Sequence, residues 1–143
     1  MKETLQRELL RAAHAVRQNA YAPYSLYRVG AAVLADDGRI YTGCNMENVA
    51  FSPSLCAERA ALAAAVSAGE RRFLAIAVVG GKGDTPDNVC LPCGVCRQVM
   101  AEFFPPEAEV LTGTEDAPVV HTVGELLPHT FGKSGELSGE KRE

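Results

Sequence analysis

Three cysteines at two distant places constrain this chain more than any other feature. Cys56 stands two residues before Glu58, and Pro92-Cys93-Gly94-Val95-Cys96 follows much later. Cysteine thiolates are good zinc ligands, and a zinc held by three protein groups keeps a fourth position for water. The pKa of such a water falls to roughly 7, so hydroxide becomes available at neutral pH. The chemistry also needs a proton carrier, and Glu58 is spaced to be one. A fold that uses all three thiols must bring both stretches to one point.

Each part is weak alone. A lone C-x-x-C can be redox-active, structural or accidental. Cys90, Cys93 and Cys96 form a C-x-x-C-x-x-C run, and with Cys56 they could close a structural zinc or hold an iron–sulfur cluster. That alternative leaves Glu58 without a purpose and asks Cys90 to reach past Pro92. Glu58 alone reads as an exposed helical glutamate, and Arg59 alone as a surface arginine. Three thiolates on one Zn²⁺ leave a formal charge of −1, and Arg59 and the helix ends are the candidates to offset it. Cys44 has no partner at motif spacing and reads as a buried apolar residue. His14, His121 and His129 show no ligand spacing.

The hydrophobic pattern places these residues on elements. Leu5, Leu9, Ala12, Ala13, Val16 and Ala20 recur at helical spacing, which predicts a helix over about 2–20 that stops before Pro23. Residues 29–35 form a small-residue apolar run, expected as a strand covered on both faces. Asp36-Asp37-Gly38 is a turn signal, and residues 39–43 return as a second strand. If that strand persists, Asn45 and Glu47 share one face. Cys56 opens an Ala-rich helix over 57–68 that Gly69 ends, and so many alanines imply close packing against neighbouring backbone. Residues 73–79 read as a central buried strand, and 80–91 as a polar loop. Cys93 opens a second helix to residue 104, with Val95, Val99, Met100 and Phe103 expected inward. Short strands follow at 109–112 and 119–122, and Thr122-Val123-Gly124-Glu125 has the form of a capping box. One mixed sheet between helices is expected. Both thiol stretches then lie at helix N-termini, where partial positive charge favours thiolates.

The 143 residues suit one domain. We expect it to span 1–132, with the charged Gly/Ser-containing segment 133–143 as a flexible tail. The first residues mix charge with Leu and Ala, so they read as neither a signal peptide nor a membrane span. Five cysteines without a secretion signal fit metal-binding or free thiols in the cytoplasm. A net charge of −4 without a basic stripe argues against nucleic acid as partner.

Cys56, Glu58, Pro92, Cys93 and Cys96 match the known signature of zinc deaminases, His/Cys-x-Glu followed by Pro-Cys-x-x-Cys. Together with Tyr24-Ser25, residues 29–32, Gly43-Cys44-Asn45-Met46-Glu47-Asn48, Arg97-Gln98 and Leu126-Leu127-Pro128, they make the chain resemble the small, homotetrameric type of cytidine deaminase over most of residues 20–131. The resemblance implies a three-layer α/β/α fold with a five-stranded mixed sheet. It implies one Zn²⁺ per subunit on Cys56, Cys93 and Cys96, with Glu58 catalytic and Arg59 bonded to the zinc thiolates. Asn45 and Glu47 would bind the ribose 3′-hydroxyl, and Tyr27 would line the pyrimidine pocket, with Ala57 among the substrate contacts. Phe51 and Phe131 would reach the pocket from neighbouring subunits. Phe51 and Leu91 stand where members of the family often carry Tyr and Ser. The activity implied is hydrolytic deamination of cytidine and deoxycytidine, in pyrimidine salvage. Rival readings are a relative acting on a cytosine-containing antibiotic such as blasticidin S, a non-enzymatic Cys₄ metal module, and nucleic-acid editing. The ribose clamp argues against the first of these.

Overall fold

The computed structural model of the chain describes residues 1–132. The expected tail, 133–143, lies outside the described residues. Helix α1 (Glu3–Arg17) is followed by strands β1 (Tyr27–Ala35) and β2 (Ile40–Cys44), then helix α2 (Ala57–Ser67) and strand β3 (Phe73–Lys82). Helix α3 (Gly94–Phe103), strands β4 (Glu109–Thr114) and β5 (Ala117–Thr122), and the short helix α4 (Val123–Leu126) complete the order. The five strands form one sheet in the order β2-β1-β3-β4-β5. Only the β3–β4 pair is parallel, because the α3 crossover returns the chain to the end of the sheet where β3 began before β4 starts.

Helix α1 covers one face, packing Leu9, Leu10 and Ala13 against Ala32, Leu34, Ala75, Ala77 and Val79. Helices α2, α3 and α4 cover the other, where Ala61, Leu62, Ala65, Cys96, Met100 and Val123 meet Ala31, Val33, Ile76 and Val78. This is the expected three-layer arrangement. Two glycines set how close the layers come. A Cβ at Gly30 would lie 2.0 Å from the Ala13 carbonyl oxygen, and one at Gly43 would lie 2.3 Å from the Ala61 amide nitrogen. The alanine-rich α2 therefore rests directly on β2 backbone, as its composition implied.

The structure differs from the sequence reading in particular places. Helix α1 ends at Arg17, three residues earlier than expected, with turns through Gln18 and Asn19. Strand β3 runs on through Gly80-Gly81, read above as loop, because these residues pair with Val29 and Arg28 of β1. Val95 is exposed, not inward. Cys96 takes the core position in the first turn of α3, and Val95 is rotated about 100° away from it. The capping box at α4 is formed at least by its Thr122 half, whose hydroxyl accepts the Glu125 amide at 3.1 Å. Among the described residues no helix is long and apolar enough to cross a membrane.

Chain direction places the site. Helix α2 leads through a short connection into the start of β3, so its N-terminus lies beside the far end of that strand. Helix α3 begins where β3 and its following loop end. The two N-termini thus converge at one end of the sheet, beside the C-terminal end of the central strand β3.

Candidate active site

Cys56 is the N-cap of α2, Cys93 is the N-cap of α3, and Cys96 lies in the first turn of α3. Their three Sγ atoms all lie within 4.8 Å of one another, the only such group of potential ligands among the described residues. The Cys56–Cys93 sulfur separation is 3.9 Å. Two thiolates on a tetrahedral zinc, at Zn–S ≈ 2.3 Å, stand about 3.8 Å apart, so the donor set fits a zinc ion. The five cysteines are free thiols. None of the three histidines joins the cluster, and neither does Cys90.

Charge around the sulfurs favours anions. Both helix N-termini point at them. The Arg59 Nη2 donates to Cys56 Sγ at 3.3 Å, and this contact with a thiolate holds the guanidinium more firmly protonated. The Cys56 thiol is drawn down to about 5, first by its contact with Cys96 and then, against the cost of burial, by Arg59. Arg97 fixes the entry to α3, donating from Nε to the Pro92 carbonyl at 2.7 Å and from Nη1 to the Leu126 carbonyl at 3.0 Å.

Glu58 sits in the first turn of α2 and is only 4% exposed. Burial is the main reason its carboxyl is pushed up from 4.5 to about 7, and the nearby Cys56 adds to the rise. A carboxyl poised near neutrality can both take and give a proton.

Cys56, Glu58 and Cys93 belong to a cleft of about 240 Å³ lined also by Tyr27, Val29, Asn45, Glu47, Ser54, Leu55, Ala57, Cys90 and Leu91, while Cys96 is buried and outside the lining. Strand β2 ends at Cys44, but the extended chain continues, because Met46 bridges Leu55 on one side and Tyr21 on the other. Asn45 and Glu47 therefore both reach the cleft, as expected for an unbroken strand. Their polar groups are partly engaged. The Asn45 Oδ1 accepts the Val29 amide and its Nδ2 donates to the Tyr27 carbonyl, each at 2.8 Å. The Glu47 carboxylate accepts the Tyr24 and Ser25 amides and the Ser25 hydroxyl. These bonds, the hydroxyl's first, hold it below the usual carboxylate range. Phe51 and Phe131 are not brought in. They are 72% and 88% exposed and absent from the lining.

Val29, Ser54, Leu55, Cys90 and Leu91 are further wall residues; the first three and Leu91 carry no chemical signal in the sequence, where Cys90 reads only as a possible ligand. The Cys90 backbone is clamped to β4, its amide donating to Thr112 Oγ1 at 2.6 Å while that hydroxyl donates to the Cys90 carbonyl at 3.2 Å. Its side chain packs over Gly80, where a Cβ would stand 2.6 Å from the sulfur. Burial pushes this thiol up, which suits a wall group rather than a ligand.

A buried carboxyl beside thiols gathered at two helix N-termini defines a thiolate metal centre with an acid–base group. Residues 3–112 match the family described as the cytidine and deoxycytidylate deaminase zinc-binding region. The chain is 52% identical over 118 residues to a cytidine deaminase of Sporosarcina psychrophila, covering 82% of this chain and 84% of that protein. It is 47% identical over 124 residues to a cytidine deaminase of Mycobacterium tuberculosis, covering 86% of each. The crystal structure of a cytidine deaminase from Burkholderia pseudomallei superposes with a TM-score of 0.79 at 45% identity, covering 87% of this chain and 97% of that one. The chain belongs to the cytidine and deoxycytidylate deaminase zinc-binding family, and its cofactor is zinc, one ion per subunit.

Proposed function

We propose that this protein is a zinc-dependent hydrolase that converts cytidine and deoxycytidine to uridine and deoxyuridine with release of ammonia. The observation that carries the reading is the meeting of three thiols within 4.8 Å of one another beside a cleft whose lining includes Cys56, Cys93 and the buried Glu58. Cys56, Cys93 and Cys96 hold the zinc, and Arg59 offsets the charge of the thiolates. Zinc supplies, when bound, Lewis-acid activation of water at neutral pH.

The chain's own groups handle protons and position. Glu58 takes a proton from the attacking water and delivers it to ring N3. It then takes the proton of the hydroxyl newly added at C4 and passes it to the departing amine nitrogen. Water is added, ammonia leaves, and the C4 position ends as a carbonyl. Tyr27 and Ala57 bound the pyrimidine. Asn45 and Glu47 take the sugar hydroxyl with the hydrogen-bonding capacity their backbone contacts leave unused. Such a site rejects analogues that leave buried polar groups unpaired.

The subunit works as a homotetramer in which Phe51 and Phe131, exposed on the single chain, complete the cleft of a neighbour. Its place is pyrimidine salvage in the cytoplasm, without a nucleic-acid or membrane partner. Ammonia release from cytidine, deoxycytidine and free cytosine, measured in parallel on the zinc-loaded protein, tests the reading. Both nucleosides should turn over and free cytosine should react poorly. Equal efficiency on free cytosine would remove the sugar clamp, and no turnover of any of them would leave a metal-binding module.

A further inference from the structure

The aromatic wall of the cleft is held by a side chain from a different segment. Tyr27 opens β1, and its hydroxyl donates to Asp87 Oδ2 at 2.8 Å. Asp87 lies on the polar loop between β3 and α3. The loop is folded back at this residue, whose amide donates to the Gly80 carbonyl at 2.8 Å. The approach is close enough that a Cβ at Gly81 would stand 2.8 Å from the Asp87 nitrogen. Three residues later Cys90 packs behind the tyrosine ring, and a Cβ at Gly80 would fall 2.6 Å from its sulfur and 3.0 Å from Tyr27 Cε2. Cys90 and Leu91 also line the cleft, beside Tyr27.

The backbone of Tyr27 is pinned as well. Its amide donates to Ser25 Oγ at 2.9 Å, and its carbonyl accepts from Asn45 Nδ2 at 2.8 Å. These bonds fix the Cα but make no contact with the ring itself, which packs against the core and over Gly80. Glycines at the back of the slot accept the ring without gripping its outer end. At that end the hydroxyl donates to Asp87 at 2.8 Å, with the Cys90 thiol as a second, weaker polar neighbour.

We propose that Asp87 is a positioning residue for substrate binding: through the Tyr27 hydroxyl it ties the β1 wall of the cleft to the loop that carries Cys90 and Leu91, and so sets the width of the slot for the substrate's ring. The inference rests on the reading above that this cleft takes a cytosine nucleoside. The Asp87 side chain bonds to the Tyr27 hydroxyl and not to the three clustered thiols or Glu58, so its loss should weaken binding and leave the chemical step intact. A net hydrogen bond is worth a factor of roughly two to twelve in an equilibrium constant.

The test compares Asp87→Ala, Asp87→Asn, Tyr27→Phe and the double variant Tyr27→Phe/Asp87→Ala, all zinc-loaded and with metal content measured. Asp87→Ala and Tyr27→Phe should each raise KM for cytidine several-fold and weaken equilibrium binding of uridine by calorimetry to the same degree. The kcat of Asp87→Ala should stay within about twofold of the parent. The double variant should be no worse than either single one, because both remove the same bond. Asp87→Asn, whose amide oxygen can still accept the hydroxyl, should recover most of the loss. Unchanged KM and uridine affinity in Asp87→Ala, additive effects in the double variant, or a fall in kcat with KM unchanged would each overturn the proposal. If the parent protein neither binds uridine nor turns over cytidine, the nucleoside reading fails, and this inference falls with it.

Discussion

Replacing Glu58 by Gln separates the electrostatics of the site from its chemistry. The carboxyl is 4% exposed, and its pKa stands at about 7 against a usual 4.5, with burial as the main cause. The folded state therefore holds this proton more tightly than the unfolded chain. Wild-type stability is favoured by this group at low pH, declines as pH rises from 4.5 to about 7, and levels off above. At roughly 1.4 kcal/mol per tenfold change in proton affinity, the decline amounts to about 3 kcal/mol. Gln carries no titrating proton and escapes it. Urea unfolding of the reduced, metal-free protein at pH 4.5 to 8.5 should show E58Q gaining on the wild type by about 3 kcal/mol across that window. Any constant cost of burying the amide cancels, because only the change with pH is read. In the zinc-loaded form the same variant should keep its metal but lose turnover by about 10²–10⁴ or more, since one group serves several proton transfers. A gap that stays flat with pH would refute the buried, proton-holding carboxyl. Near-normal turnover would remove Glu58 from the mechanism.

Other outcomes follow from particular contacts. Cys90→Ser should retain zinc and activity, measured by metal analysis and ammonia release, because Cys90 is outside the three-thiol group; metal loss from a folded variant would favour a four-thiol site. Gly43→Ala drives a Cβ to within 2.3 Å of α2 backbone, so denaturant unfolding should show a loss of about 1–3 kcal/mol, with turnover falling as Cys56 and Glu58 shift. For the shared-site reading, Glu58→Ala and a Phe131 variant refolded together should exceed the summed activity of each refolded alone. Confirmed mixed oligomers without that gain would end the claim.

Much of this protein is legible along the chain. The period of Leu9, Ala13 and Val16 announces α1. The small apolar run of β1 announces a strand buried on both faces, and the alanines of α2 announce a close approach that Gly43 makes possible. The thiols and Glu58 are legible because their chemistry is carried by contiguous motifs whose spacing survives in one dimension. What the sequence could not decide depends on contacts between segments far apart in it. Gly80-Gly81 look like loop until β1 is beside them to pair. Val95 looks inward until the sheet selects the side of α3 that carries Cys96. Arg17 looks like a surface charge ending a helix, yet it is fully buried, donating to the carbonyls of Arg28, Gly81 and Gly83 at the root of the loop that leads to Cys93. The Tyr27–Asp87 bond spans 60 residues and leaves no periodic trace. Local chemistry and hydrophobic period are properties of neighbours in sequence, whereas burial, and with it the raised pKa of Glu58, comes only from what the folded chain lays across each group.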